Sequence, residues 1–392
     1  MIRLPERIHS VMAYSECAWG SALEADARWC KSCYRWLFFS CQGLAVGSFM
    51  VSSGLNAPLA PRRAGPTHLP MEHPPLLLVV IDTEEEFDWS RPHARENTGV
   101  TSIAAQGQAQ QIFDSHGIVP TYVIDYPVAS NPMAVEVLRG FADSGRCRIG
   151  THLHPWVSPP HAEVVTTFNS YPGNLPAALE RQKLEVLTMT IQSGFGIRPI
   201  VYKAGRYGIG PSTARILEEL GYLIDVSIVP FTSFADDGGP DFSAEGFHPW
   251  WFGSGGKLLE IPLSCGFCGL ARSLGPTLYP RLRSAAGMRV RLPGAFARLG
   301  VLERIRLTPE GIDLAANIRL ARSLFDQGCR VFTFTYHSPS LVPGMTPYVR
   351  SQQDLAQFLR TMDRFFAFFR SELRGRPGEP SEVYDLLLNG GR

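Results

Sequence analysis

Leu76 to Trp89 reads LLLVVIDTEEEFDW: six consecutive apolar residues, Leu76 to Ile81, run abruptly into Asp82, Thr83, Glu84, Glu85 and Glu86. A short unbroken apolar run suits a strand buried on both faces. The carboxylates then stand at its C-terminal end, where α/β folds bind ligands. The four acids, Asp82 and Glu84 to Glu86, repel one another unless a cation or a basic side chain compensates. The stretch is read either as one wall of a metal-assisted active site or as a strand leading into a solvated acidic loop.

Downstream, the same arrangement repeats. Strands are expected at 119–124, 147–153, 199–203, 222–228, 257–263 and 330–335. Helices are expected at 101–116, 132–144, 175–193, 211–220 and 351–369, with Gly117, Gly145 and Gly221 as stops. Thr308-Pro309-Glu310 reads as the start of a further helix reaching Gln327, with Thr as cap and Pro in the first turn. Strands alternating with helices mean βαβ units and a parallel sheet. About seven strands favour a distorted (β/α) barrel over an open sheet. Residues 236–256 form a Gly- and Trp-rich insertion. Residues 266–307 are basic, lack a clear period and are read as an insertion near the site.

The chain has 392 residues, enough for one large α/β domain or two medium ones. The barrel is assigned to 71–375, with a poorly structured segment at 1–70 and a loose tail at 376–392. The formal net charge of +1 points to neither nucleic acid nor an anionic membrane as the main partner. Two CxxC pairs, Cys30/Cys33 and Cys265/Cys268, lie far apart in the chain and are read as free thiols rather than a zinc site. The apolar segment 36–51 is too short and too polar for a membrane helix, so stable membrane insertion is not expected. It is also too far from the N-terminus for an ordinary signal peptide. Met71 is taken as the natural start, which would leave the protein in the cytoplasm; an anchor within 36–51 is the alternative. No GxGxxG follows the first strand and no GxxxxGK[ST] appears, so neither dinucleotide nor P-loop chemistry is indicated.

Four more strand ends carry polar groups. In GTHLHPW, His152 and His154 are two apart, so on a strand both imidazoles share a face and can point at one cation. YKAGRYG places Lys203 and Arg206 in a Gly-rich turn, where they can offset the acids of the first strand. Asp225 lies within an apolar strand, where a carboxylate needs a partner. His337 follows VFTFTY.

This series resembles the polysaccharide deacetylase family, the NodB-homology domain of carbohydrate esterase family 4, over about Leu76 to Phe369. VIDTEE stands at the first family motif, GTHLHPW at the second, YKAGRYG at the third, Asp225 at the fourth and His337 in TYHSP at the fifth. Thr83 replaces the family's second Asp, and Glu84 would serve instead. His-x-His is tighter than the usual spacing, Lys203 stands where many members have Arg, and the usual Trp of the fourth motif is absent. The resemblance implies a divalent metal, zinc first with cobalt or manganese as alternatives, held by Glu84, His152 and His154. It implies Asp82 as base, kept ionised by Lys203 or Arg206, and His337 as acid, oriented by Asp225. The substrate would be an N-acetylated glycan, with Trp89, Trp156 and Tyr207 lining its site and Trp250 and Trp251 as further stacking candidates. A non-catalytic glycan-binding module and a metal-free amidohydrolase of a small amide stand as alternatives.

Overall fold

The computed structural model describes residues 65–390. The readings of residues 36–51 and of Cys30 and Cys33 lie outside them. Eight strands form one curled sheet: β1 (Leu76–Thr83), β2 (Thr121–Ile124), β3 (Arg148–Leu153), β4 (Val201–Ala204), β5 (Ile224–Asp225), β6 (Trp250–Phe252), β7 (Leu258–Glu260) and β8 (Val331–His337). Their order is β8-β1-β2-β3-β4-β5-β7-β6. All neighbours are parallel except β6, which pairs antiparallel with β7. The seven parallel strands agree with the expected distorted barrel. Beyond β7 the chain swings toward β8: the Thr333 N–H donates to Ser264 Oγ at 2.9 Å, and Thr333 Oγ1 donates to Pro262 O at 3.2 Å.

Side-chain alternation sorts the strands into two layers. Leu76, Leu78 and Val80 point inward with Val123, Val201, Ile224, Leu259 and Val331. Leu77, Val79 and Ile81 point outward into the helix layer, beside Phe113 and Phe366. The interior is narrow: a Cβ on Gly150 would lie 2.9 Å from both Val123 Cγ1 and Val201 O. Continuing the inward row places Asp82 above Val80, Lys203 above Val201 and His337 above Thr335. The barrel therefore carries charge at its C-terminal mouth and is mostly apolar below it, with Thr333 and Thr335 of β8 as polar members of the inward row.

The helices follow their sequence signals. Gln106–His116 ends at Gly117 with φ 68°, and Gln352–Ser371 begins with a capping box formed by Ser351 and Asp354. Three expectations change. Thr308-Pro309-Glu310 does not open a helix; that helix is Leu314–Asp326, and its cap is Asp313, whose side chain accepts the Ala316 N–H at 2.8 Å. The segment after Arg374 is not loose. Arg376–Pro377 pairs with β1, and Pro380–Gly390 is a helix whose Val383, Tyr384 and Leu387 join the inward cluster, because EVYDLLL spaces its apolar residues at helical intervals. The packed body also begins before Met71: Leu69 is buried in that cluster, and the Thr67 N–H donates to Pro249 O at 2.8 Å.

The loop after β3 is held by one buried cation. Lys183, on helix Ala177–Phe195, donates to the carbonyls of Pro155, Ser158 and Pro160 at 3.0, 2.6 and 2.8 Å and pairs with Glu163 at 3.0 Å. Four acceptors around one ammonium fix the chain that leaves the His-x-His motif. Lys183→Met leaves Glu163 without this partner and the Ser158 and Pro160 carbonyls without a donor, and breaking a buried pair this way costs about 3–5 kcal/mol. Thermal unfolding should show a clearly lowered Tm; an unchanged Tm would mean that Lys183 is not what holds the loop.

Candidate active site

Asp82, at the end of β1, is buried, and its Oδ1 accepts from Lys203 Nζ at 2.5 Å. Register explains this approach: His152 and Lys203 are partners across β3 and β4, and Asp82 and His337 across β1 and β8. Burial pushes the Asp82 carboxyl up. The Lys203 charge, with His152 and His337, outweighs that and holds it at about 2, so Asp82 is an anion at neutral pH.

Thr83 points to the opposite side, and its hydroxyl donates to Ile81 O at 3.0 Å. Glu84 returns to the inward side. Its Oε2 lies 3.5 Å from His152 Nε2 and 3.6 Å from His154 Nε2, and its buried Oε1 has no hydrogen-bond partner. Each imidazole is oriented through its other nitrogen. His152 Nδ1 is 3.0 Å from Lys203 O, and His154 Nδ1 is 2.7 Å from Glu85 Oε2. A carbonyl and a carboxylate both accept, so each Nδ1 carries the proton and each Nε2 presents its lone pair. Burial lowers both imidazoles, His154 to about 4 and His152 well below its ordinary value, so both are neutral at pH 7. Glu84, His152 and His154 thus offer three lone-pair atoms, all within 4.8 Å of one another. Two imidazole nitrogens and a carboxylate oxygen converging on one point fit a divalent cation such as zinc, which would take the place of the Glu84 proton, and the unpartnered Oε1 is a further available donor.

The remaining acids have separate tasks. Glu85 accepts from Trp156 Nε1 at 2.6 Å and holds His154, while its own N–H donates to Asp125 Oδ2 at 2.7 Å. Burial raises its carboxyl to about 7. Glu86 caps the turn Thr101–Ala105 by accepting from the Ser102 N–H at 2.5 Å and from Thr101 Oγ1 at 3.0 Å. Close packing finishes the mouth: a Cβ on Gly205 would lie 2.4 Å from Leu153 O and 2.5 Å from His154 Cδ2, so only glycine lets the turn after β4 pass this imidazole.

His337 is oriented by Glu310. The buried Glu310 carboxylate accepts from the His337 N–H at 3.0 Å, from His337 Nδ1 at 2.8 Å and from Ser340 Oγ at 2.6 Å. Burial pushes Glu310 up, but His337 and these bonds outweigh it, and its carboxyl is held below its usual value. The other nitrogen, His337 Nε2, stands 3.5 Å from Asp82 Oδ2.

Several expected roles change. Asp225 does not orient His337. It follows the inward-facing Ile224 and so points outward, where Ser227 Oγ donates to it beside Glu260 on β7. Burial raises Asp225 to about 7, with bonds to Ser227 and Glu260 working against that. Arg206 does not hold Asp82. Its guanidinium bonds to Ser170 Oγ at 2.6 Å and Asp237 at 3.1 Å and lies over the Tyr171 ring. Trp156 is no sugar platform: it is 1% exposed and stacks on His154 at 4.3 Å. Trp250 is buried, and Trp251 packs on Tyr384 of the C-terminal helix. Trp89 is half-buried, with its ring 5.0 Å from that of His337. Tyr207 sits under Lys203, 5.3 Å from Nζ to the ring centre, and its hydroxyl accepts from Arg306 Nη1 at 2.9 Å. Cys265 and Cys268 are free and buried. Glu85, read only as one of the acidic run, and Glu310, read only as part of a helix start, orient His154 and His337, a task that no motif assigned to them.

No family model matches the chain, and no curated protein matches it. Among solved structures it is similar to a Mycobacterium smegmatis protein described as a polysaccharide deacetylase, at 15% identity over 84% of this chain and 95% of that one, with a TM-score of 0.48. It is also similar to a protein from Pseudomonas aeruginosa PAO1 described in the same terms, at 14% identity over 80% and 91% of the two chains, with a TM-score of 0.46. A CE4 family pseudoenzyme from Bacillus anthracis matches at 9% identity over 80% and 67%, with a TM-score of 0.40. At these identities the likeness is one of fold, and the chemistry must be sought in this chain's own residues.

The site has a pH signature. Burial raises Glu84 and Asp125 well above the ordinary carboxylate range, and Glu85 and Asp225 to about 7. In the unfolded chain these acids have already ionised by pH 6. Above pH ~7 the buried His152 and His154 are neutral in both states, these acids hold more protons in the folded protein than in the unfolded one, and stability falls as pH rises. For metal-free protein, Tm should drop between pH 7 and 8. Zinc, by binding the ionised form of Glu84, should reduce the slope. A metal-free Tm that rises over this interval would contradict the assignment.

Proposed function

We propose that the protein is a metal-dependent hydrolase of the deacetylase type, removing an N-acetyl or O-acetyl group from a polysaccharide or glycolipid sugar. One observation carries this reading: three converging donors, Glu84, His152 and His154, are flanked by the ionised Asp82 and by an imidazole held by Glu310. When bound at these donors, a divalent cation polarises the acetyl carbonyl and lowers the pKa of the attacking water.

The chain's own groups account for the proton movements. Asp82, kept anionic by Lys203, accepts a proton from the attacking water as hydroxide adds to the acetyl carbon. His337, protonated at Nε2, gives that proton to the sugar nitrogen as the C–N bond breaks, and Glu310 on Nδ1 stabilises the ring while it is charged. Acetate and an amine leave. Asp82 then returns its proton to His337 across the 3.5 Å that separates them, which restores both groups. For an ester the leaving oxygen takes the same proton. Trp89, at right angles to the His337 ring, forms a wall against which a sugar ring can pack.

The non-catalytic alternative rests on Thr83 and the short histidine spacing. Neither favours it here, because Thr83 faces away from the donors, Glu84 faces them, and both imidazoles reach the same carboxylate oxygen.

The test combines metal content with acetate release from N-acetylated glycans. Wild-type protein should hold about one metal per chain, and the double variant His152→Ala/His154→Ala should lose it. Asp82→Asn should keep the metal and lose about 10²–10⁴-fold in rate, the usual contribution of a general base. Protein that takes up no zinc, cobalt or manganese, or an Asp82→Asn variant that releases acetate at the wild-type rate, would refute the reading.

A further inference from the structure

The net charge of +1 conceals a local asymmetry. Residues 269–302 contain six arginines and no lysine, histidine, aspartate or glutamate. They form the outer part of the basic insertion, which carries the short helices Gly275–Leu282, Ala285–Arg289 and Leu292–Arg298 above an antiparallel pair, Cys265–Cys268 with Glu303–Arg306. Arg272 pairs with Asp326 at 3.7 Å, whereas Arg283, Arg289 and Arg291 make no ion pair among the described residues.

The same segment exposes apolar side chains. Leu270 is 91% exposed, Leu299 73%, Val290 66%, Leu274 59% and Met288 39%. They are five of the twelve large exposed hydrophobic residues in the described chain, gathered in about a tenth of its length. From Met288 to Arg291 apolar and cationic residues alternate, and all are exposed. The small core of the insertion, Phe267, Leu282 and Leu302, is already filled by Leu278, Tyr279, Leu292, Phe296 and the neighbouring Phe231, so the exposed ones are not needed to fold it.

The insertion leaves the barrel at the C-terminal end of β7 and returns just before Glu310, so its base lies at the mouth of the site. Arg306 reaches Tyr207, beside Lys203.

We propose that this insertion docks the protein on an anionic bilayer surface and brings the site to an acetylated amino sugar carried by a membrane lipid. The substrate half of this statement rests on the hydrolase reading. Uncompensated arginines complement anionic headgroups, and interspersed Leu, Val and Met enter the headgroup boundary. A nucleic acid or an acidic glycan would use the charge but leave the apolar side chains in water, and the exposed set offers no aromatic platform for bases. No helix among the described residues is long and apolar enough to cross a membrane, so the contact is peripheral.

The experiment is cosedimentation of the full chain with phosphatidylcholine vesicles and with vesicles containing about a third phosphatidylglycerol, at low and high salt. Wild type should bind the anionic vesicles, and high salt should weaken that binding. Arg283→Ser/Arg289→Ser/Arg291→Asn should lose about a hundredfold in partitioning, from the usual contribution per arginine near a charged surface. Met288→Ser/Val290→Ser should also bind more weakly. These positions are on the surface, so Tm and metal content should match wild type. Absence of wild-type binding to anionic vesicles, equal binding by wild type and the arginine variant, or the same loss by the arginine variant on neutral vesicles overturns the proposal. Vesicle binding that follows the arginines in a protein without metal would sustain the docking and remove only the hydrolase reading.

Discussion

Four carboxylates at the end of one buried strand cannot all remain charged without compensation, and the upper half of the barrel is arranged around that constraint. Each acid has a different solution. Asp82 is neutralised by Lys203 from β4. Glu84 faces two neutral imidazoles that bring lone pairs rather than protons, so its compensation must be a proton or a metal. Glu85 takes donors from His154 and Trp156, and Glu86 turns away to cap the following helical turn. On the proposed reading, the same acids that look like electrostatic conflict in one dimension become an ionised base, a ligand, a ligand-orienting group and a cap.

Side-chain parity was the most informative part of the sequence. Apolar runs with helices between them gave the parallel barrel, and His-x-His placed both rings on one face. Parity also explains why Glu84, two residues beyond Asp82, reaches the histidines, whereas Thr83 does not. Applied to Ile224 and Asp225, the same rule turns Asp225 outward, against the orienting role that its place in the motif series implies. Arg206 departs from its expected place for a related reason. Lys203 stays in the inward row, whereas Arg206 lies beyond the strand with φ 53°, and its guanidinium goes to Ser170 and Asp237.

Other features depend on contacts between distant residues. Glu310 lies 27 positions before His337 in a loop that sequence alone made a helix start, and no local pattern links it to the imidazole. The Trp156 indole looked like a sugar platform, yet its N–H is needed by Glu85 and its face by His154. The C-terminal helix is not legible in the sequence because its short apolar stripe has meaning only against the open end of the barrel, which Val383 and Leu387 cover. In metal sites such orienting partners commonly matter nearly as much as the ligands, and here they come from β4, from the acidic run and from the loop before Leu314.

The proposed chemistry requires Glu84, His152 and His154 to hold one cation. Anomalous diffraction from crystals grown with zinc tests it most directly. A single strong peak is expected within bonding distance of the two Nε2 atoms and a Glu84 carboxylate oxygen, with His154 Nδ1 still on Glu85. A peak centred instead on Glu85, Asp125 and His154, the other group of donors close enough to share an ion, would contradict it, as would zinc-grown crystals with no peak at either place.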